Sequence, residues 1–480
     1  MLGINLILSG CNDKFLVNNP EITFFKIVYK QNIGFLKDTI KLNFEEHFKF
    51  NSKLTCNIPK HGNYLSKVYL SIKFSQINNY LHDDYVRFCF VKKLGYAIIK
   101  KIEFQVGHNI IESISCDWLN IWNELNNKSN IDEMIGNKPE IYNFSKSKKG
   151  FELLVPINFN FCNNYKLAFP LHAVKKQDIK INLYTSKLED ICLIGPTHSV
   201  KIKDHILLLK PYEIIKQNYN GVEVIALFLN YNPTKKILNY IKIKNDFISQ
   251  TSINDTHLKS YIITGETSKF KFYLEDNSTI TTSNNDYINY FKDNIIIEKS
   301  NILIDTIHTC NNENNNNEIN NIYTNTSYQY LNKKINNRLL LKLNFNFSSK
   351  ELIWVVRLKS HKKIDFFKYT DYNDENIINK IRFTIDNLNI INYHHSNFYN
   401  YHILHKNYNN LPSTGIYIYP FCLNSSDIQP SGNNNLNNNI ILDILFNKFI
   451  NEDIEILVIN LSYNLLNFKN GICSFKFINN

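Results

Sequence analysis

The chain has 480 residues, 44% of them hydrophobic and 14% aromatic, and 54 Lys and Arg against 43 Asp and Glu give a formal net charge of +11. That length exceeds one ordinary core and predicts two domains or more. Nine cysteines, odd in number, widely spaced and without a CxxC pair, exclude a disulfide framework and a zinc ribbon and predict free thiols in a reducing compartment.

Residues 1–19 read as an arm, a short apolar patch followed by polar turn residues. MLGINLILSGCNDK lacks a basic n-region, and no run approaches the ~20 apolar residues of a membrane-spanning helix. The expectation is a protein made and kept in the cytoplasm, and the Asn-x-Ser/Thr sequons at Asn143, Asn325 and Asn346 read as chance in so Asn-rich a chain. Pro20 opens a first strand through Phe24, Phe25 and Tyr29, with β-branched and aromatic residues behind it. Thr39–Phe44 and Val68–Phe74 alternate apolar and polar residues, with His61-Gly62-Asn63 as a turn between them.

The clearest block is 91–125. Ile102, Phe104 and Val106 alternate with Lys101, Glu103 and Gln105, a strand with one buried face. Gly107-His108-Asn109 turns the chain into a second run, so a hairpin is predicted. Asp117 or Ser115 then caps a short helix on which Trp118, Trp122 and Leu125 share one face. The polar 126–150 reads as a long loop. Strand signals return at Phe151–Ile157, Ile179–Leu183 and Val224–Tyr231. Thr234–Gln250 reads as a short helix or linker, with a domain boundary near 235. The Asn-rich tract 311–321 cannot bury apolar surface and predicts an exposed loop over about 311–327. Two β runs follow in Leu339–Lys359, a strand pair in Ile381–Ile391, a strand at Gly415–Phe421, and closing strands at Ile454–Tyr463 and Ile472–Phe477. Short strands at regular spacing with little helix suggest sandwiches, not βαβ units.

Four of these stretches together resemble the major capsid proteins of large nucleocytoplasmic DNA viruses. They are Asn19-Pro20 with Phe24 and Phe25 behind it; the block from Gly95 through Gly107 to Asp117-Trp118 and Trp122; the KELIWVV run around Trp354; and Gly415 followed by Gln429-Pro430-Ser431-Gly432. One departure follows Gly432, where Asn433-Asn434-Asn435 replaces the family's usual Asn-Phe-Ser-Arg. The resemblance implies an all-β chain of two consecutive eight-stranded antiparallel jelly rolls (a double jelly roll) with short helices in loops. The arm would be 1–19, the first jelly roll 20–235 and the second 236–480. It implies a non-enzymatic shell protein, without cofactors, that trimerises into pseudo-hexagonal capsomers of an icosahedral virion assembled in host cytoplasm. Implied partners are other copies of the chain, neighbouring capsomers, minor capsid proteins and an inner viral membrane. The arm would face inward and the Asn-rich loop outward.

Rival chemistry is weak. Walker A, GxSxG, HExxH and GxGxxG patterns are absent. His394, His395, His402 and His405 lie in an Asn/Tyr-rich segment without a suitably spaced acid or Cys, and read as surface histidines, not metal ligands. Lys is spread through the chain and Arg occurs only at 87, 338, 357 and 382, which favours a solvated surface over a specific nucleic-acid groove. Alternative readings are a minor or divergent capsid paralogue, and a glycan-binding jelly-roll surface protein that uses its tryptophans as a platform. The tryptophans' neighbours alternate as core positions do.

Overall fold

The computed structural model describes residues 34–477 apart from 79–85, 127–129, 204–207, 211, 251–260, 283–293, 310–318, 335–336, 346–347, 364, 372–373, 386–387, 409, 433, 436–439 and 448–452. The predicted arm and first strand, with Asn19, Pro20, Phe24 and Phe25, lie outside the described residues.

The first half runs β1 (Phe35–Asn43), β2 (Lys53–Ile58), β3 (Tyr64–Phe74), helix α1 (Leu94–Ile98), β4 (Ile99–Val106), β5 (Asn109–Ser115), helix α2 (Cys116–Asn126), β6 (Phe151–Ile157) and β7 (Ile179–Thr185). β4 and β5 are the predicted hairpin, paired from Val106–Asn109 to Lys101–Ser115, and Gly107 takes φ +58° in its turn. Ile102, Phe104 and Val106 point into the core, as their spacing requires. One sheet has the order β2–β7–β4–β5. Its partner sheet holds β1, β3 and β6, and it is completed from far along the chain.

Between β7 and that completing strand the chain builds a separate seven-stranded sheet. Its centre is β8 (Ile214–Tyr219), β9 (Val222–Asn232) and β10 (Ile237–Lys244). It has its own core of Ile215, Val224, Phe228, Leu238, Tyr240 and Phe272. The segment read as helix or linker is therefore mostly β10. Leu238 and Tyr240, two residues apart, enter this core, and that alternation outweighs the surrounding lysines. The boundary anticipated near 235 falls in the β9–β10 turn, where Asn232 pairs with Ile237.

β11 (Ile297–Thr309) then returns to the first half and lies antiparallel between β1 and β3. The second half follows: β12 (Ile319–Lys334), β13 (Arg338–Leu343), β14 (Ser348–Leu358), β15 (Ile378–Ile385), β16 (Leu388–His395), β17 (Ile416–Pro420), β18 (Ile440–Phe446), β19 (Asp453–Lys469) and β20 (Ile472–Phe475). Its sheets are β12–β19–β14–β17 and β13–β18–β15–β16. The loop anticipated over 311–327 gives way to strand at 319. From there β12 pairs with β19 without interruption, and Tyr323 is 2% exposed.

The two halves repeat one connectivity. In each, the first, eighth, third and sixth strands make one sheet, and the second, seventh, fourth and fifth the other, which is the jelly roll. The eighth strand of the first jelly roll is β11, and the seven-stranded sheet is an insertion before it. β14 shows how the jelly rolls meet. Leu352, Trp354 and Val356 face the second jelly roll's own core. Ile353 and Val355 join Ile416, Ile418, Leu457 and Ile459 in a core shared with the first. A strand buried on both faces has no polar side to alternate with, hence the unbroken LIWVV.

The ends are also sorted. The insertion enters β11 at Ile297, beside Phe74, whereas Thr309 pairs with Phe35 at the start of β1. Lys60 Nζ donates to the Lys175 carbonyl, and Lys175 and Lys176 N–H donate to that of Gly471, next to the Ile319–Phe468 pair. The start of β1, the flanks of 310–318 and the end of β19 thus share one end. The insertion joins at the other, about 40 Å away along a thirteen-residue strand.

Candidate functional site

Helix α2 is where the two jelly rolls are locked together. Ser115 caps it, its Oγ accepting from Trp118 N–H (3.3 Å). Trp118, Leu119, Ile121 and Leu125 are buried in the shared core and Trp122 packs half-buried beside them, as their helical spacing predicts. Asp117 is thereby released from capping and reaches into the second jelly roll.

There Asp117 Oδ1 accepts from Arg357 Nη1 (3.1 Å) and from the Tyr369 hydroxyl (2.8 Å). Arg357 stands on β14 directly opposite Glu455 on β19, and its Nη2 donates to Glu455 Oε2 (2.7 Å). Arg357 Nη1 also donates to the Phe366 carbonyl (2.6 Å), and Lys362 pairs with Glu455 (3.3 Å). Two cations face two carboxylates, and the Arg357 and Asp117 side chains are 7% exposed. Burying charges is costly unless each is paired and hydrogen-bonded, and here each is. Burial works to raise the Glu455 pKa, but Arg357 and Lys362 outweigh it and hold the carboxyl below the usual glutamate range. Burial and then the Asp117 charge push the Tyr369 hydroxyl well above its ordinary value, so it stays a donor.

Further ties flank this centre. Glu124, near the end of α2, accepts from Ser413 N–H (2.9 Å) in the second jelly roll and pairs with Lys93 (2.9 Å) in the first. Glu112 on β5 accepts from Asn160 N–H (2.9 Å) and from the Tyr323 hydroxyl of β12. Burial drives the Glu112 pKa up to about 8, with these two donors pulling partly against it. Tyr328 of β12 accepts from Ser115 N–H (3.3 Å). A cavity of about 310 Å³ lies alongside, lined by Glu112, Trp118, Trp122, Lys350, Glu351 and Tyr408 among others. Its carboxylates are already engaged, since Glu351 accepts from Tyr408 (2.6 Å) and Ser425 (2.7 Å). This is holding chemistry: charges neutralise one another across a seam.

Of the residues singled out from sequence, Asp117, Trp118, Trp122 and Gly415 converge on the seam. Gly415 has φ +97°, and a Cβ there would stand 2.3 Å from the Tyr369 carbonyl oxygen. Its bareness lets β17 approach the residue that holds Asp117. Trp354 lies on the other face of β14, stacked near Tyr417 and edge-on to Tyr399 in the second core. Gly95 sits in α1, buried against Val155, and Gly107 at the hairpin tip. Gln429 and Pro430 are exposed, in a loop that Lys350 grips through the Ser425 carbonyl (2.7 Å). Ser431 Oγ accepts from Asn424 N–H (3.2 Å), and Gly432 follows at φ +146°. His394, His395, His402 and His405 are exposed, and His394 and His402 both stack on Phe398. Sequence reasoning missed Arg357, Tyr369, Glu455 and Glu112. The available signal was an arginine, rare in this chain, inside an apolar strand.

Known proteins agree with this architecture. The model of the major capsid protein N-terminus matches residues 23–232, and that of the large eukaryotic DNA virus major capsid protein matches 292–474. The chain is 27% identical over 467 residues to probable capsid protein 4 of Acanthamoeba polyphaga mimivirus, covering 90% of each. It is 30% identical over 196 residues to the major capsid protein of Pyramimonas orientalis virus, 39% of this chain and 47% of that one. The Faustovirus major capsid protein structure superposes with a TM-score of 0.63 at 10% identity, covering 97% of this chain and 96% of that one, a likeness of fold. A double jelly roll sealed by a buried ionic seam, matched in both halves by models of one family, belongs to the major capsid proteins of large eukaryotic DNA viruses, structural proteins of the virion shell.

Proposed function

We propose that three copies of this chain form a capsomer of near-hexagonal outline that tiles the shell. The observation that carries this reading is the repeat of one eight-strand connectivity in two jelly rolls joined by a single shared core. Two similar bodies per chain give six around a three-fold axis, so a hexagonal lattice needs only cyclic trimer symmetry. Such an interface should bury more than ~1,000 Å². We divide the chain into a first jelly roll ending with β11 at Thr309, an insertion between β7 and β11, and a second jelly roll from Ile319. The sorting of ends supports an orientation: the insertion outward, and the end bearing the start of β1 and the flanks of 310–318 inward, toward minor capsid proteins or an inner membrane. The Asn-rich tract itself, which the resemblance would turn outward, lies mostly outside the described residues. The tryptophan platform of a glycan-binding protein loses support, because Trp118 and Trp354 are buried.

The test is the native mass by light scattering after size exclusion. A species of about 170 kDa, three times the 56.6 kDa chain, is expected. A clean monomer at high concentration would refute self-sufficient trimerisation and favour a minor paralogue that needs a partner chain.

A further inference from the structure

One cluster of metal-binding side chains is not absorbed by the seam. Asp38 and His308 lie on neighbouring strands, β1 and β11. The register pairs Asp38 with Thr306 and Leu36 with His308, so the two side chains share one face of the sheet, two residues apart. His61 reaches the same spot from the β2–β3 turn. Asp38 Oδ2 and His61 Nε2 are 3.4 Å apart, the two imidazole centroids are 4.8 Å apart, and the three donor atoms all lie within 4.8 Å of one another.

The surrounding backbone fixes this arrangement. Asn63 N–H donates to the Ile307 carbonyl (2.8 Å), and the Asn63 side chain accepts from Thr309 N–H (3.0 Å), tying the turn to β11 on both sides of His308. Thr306 Oγ1 donates to the Asp38 carbonyl (3.4 Å). Between His61 and Asn63, Gly62 has φ +84°, and a Cβ there would meet Thr306 Cβ at 3.0 Å and His308 Nε2 at 3.3 Å. The turn is thus pressed against the His308 ring by a residue that has no side chain.

We propose that Asp38, His61 and His308 bind a divalent transition-metal ion of the Zn2+ class. Two donors each about 2.0–2.2 Å from a tetrahedral ion stand about 3.3–3.6 Å apart. The Asp38–His61 separation already has that value, and the widest gap closes by about 1 Å through rotation of side chains that are half-exposed. Two imidazoles and one carboxylate suit Zn2+, Co2+ or Ni2+, not Ca2+ or Mg2+, which take oxygen ligands. Three protein ligands leave the fourth position to solvent. The ion would staple β1, the edge strand of its sheet among the described residues, to β11 and to the β2–β3 turn at the end of the molecule where the chain enters β1.

The test is calorimetric titration of the metal-free, full-length protein with ZnCl2, alongside thermal melting. The wild type should take up an equivalent of Zn2+ per chain that millimolar Mg2+ or Ca2+ does not displace, and its melting temperature should rise. The double variant His61→Ala/His308→Ala should lose that equivalent and the rise. Asp38→Asn should weaken binding by at least about tenfold. These are surface positions, so circular dichroism and the metal-free melting temperature should match the wild type. Equal stoichiometry and affinity in wild type and double variant, or no uptake by the wild type, would overturn the assignment.

Discussion

Glu112 should make the stability of this protein fall as pH rises, and Glu112→Gln should abolish that dependence. Its carboxyl is 3% exposed, accepts from Asn160 N–H and Tyr323, and titrates at about 8 in the folded protein against an ordinary value of 4.5. Between those values the folded chain holds a proton that the unfolded chain has released. Fewer protons in the unfolded state means that unfolding free energy drops with increasing pH, at about 1.4 kcal/mol per unit. The contribution is complete below about pH 4.5 and lost by about pH 8, in total of order 4–5 kcal/mol. Glutamine keeps the accepting oxygen and the shape of the protonated acid but has nothing to ionise. Urea unfolding of both proteins at intervals from pH 5 to 9 isolates this group, because the other titrations cancel in the difference. The variant should gain steadily on the wild type up to about pH 8 and then level off. A difference that stays constant across the range would show that Glu112 is ionised in the folded seam and refute the reasoning.

Three further changes probe the seam and the cores. Arg357→Ala would leave Asp117 buried without its cation, held by the Tyr369 hydroxyl, and Glu455 with Lys362 only; a loss of about 3–5 kcal/mol is expected in denaturant unfolding, and a loss below 1 kcal/mol would mean that water reaches the site freely. Gly415→Ala puts a methyl group against the Tyr369 carbonyl at a left-handed backbone position; strain of at least about 1–3 kcal/mol is expected as a lowered melting temperature, whereas Gly221→Ala, with φ +81° but open space around it, should cost less. Trp354→Ala empties the centre of the second core and should cost about 3–5 kcal/mol, while protection of β4 and β5 amides from hydrogen exchange should change little.

What the sequence made legible was whatever had a local period. The 102–114 hairpin, the tryptophan face of α2 and the twice-buried LIWVV run were each readable because burial writes a pattern along a few consecutive residues. The Ser115 cap was one of two candidates, and only the pull of Arg357 on Asp117 separates them. Long-range pairing left no such trace. β11 completes the first jelly roll after an insertion, and nothing within Ile297–Thr309 names β1 and β3 as its neighbours. For the same reason the insertion's β9 and β10 read as the end of one domain and a linker. The seam was the least legible part, because Asp117 and Arg357 are 240 positions apart and an acid or arginine alone carries no sign of its partner. The Asp38–His61–His308 cluster was hidden likewise, while the histidine-dense 394–405 segment, conspicuous in sequence, only stacks two of its rings on Phe398 at the surface.

β14 carries one last implication. With apolar residues on both faces and an ionic lock at Arg357, it belongs as much to one jelly roll as to the other. A fragment ending at Thr309 would leave the first jelly roll's side of the seam, around Trp118 and Leu119, without a cover, and one beginning at Ile319 would bare Ile353 and Val355, so neither half should be soluble when expressed alone. The shared core and the ionic lock also make the pair one stiff unit. A closed shell must bend somewhere, and among the described residues the two jelly rolls meet through a shared core and a buried ionic lock, so curvature is expected to be set at the contacts between copies.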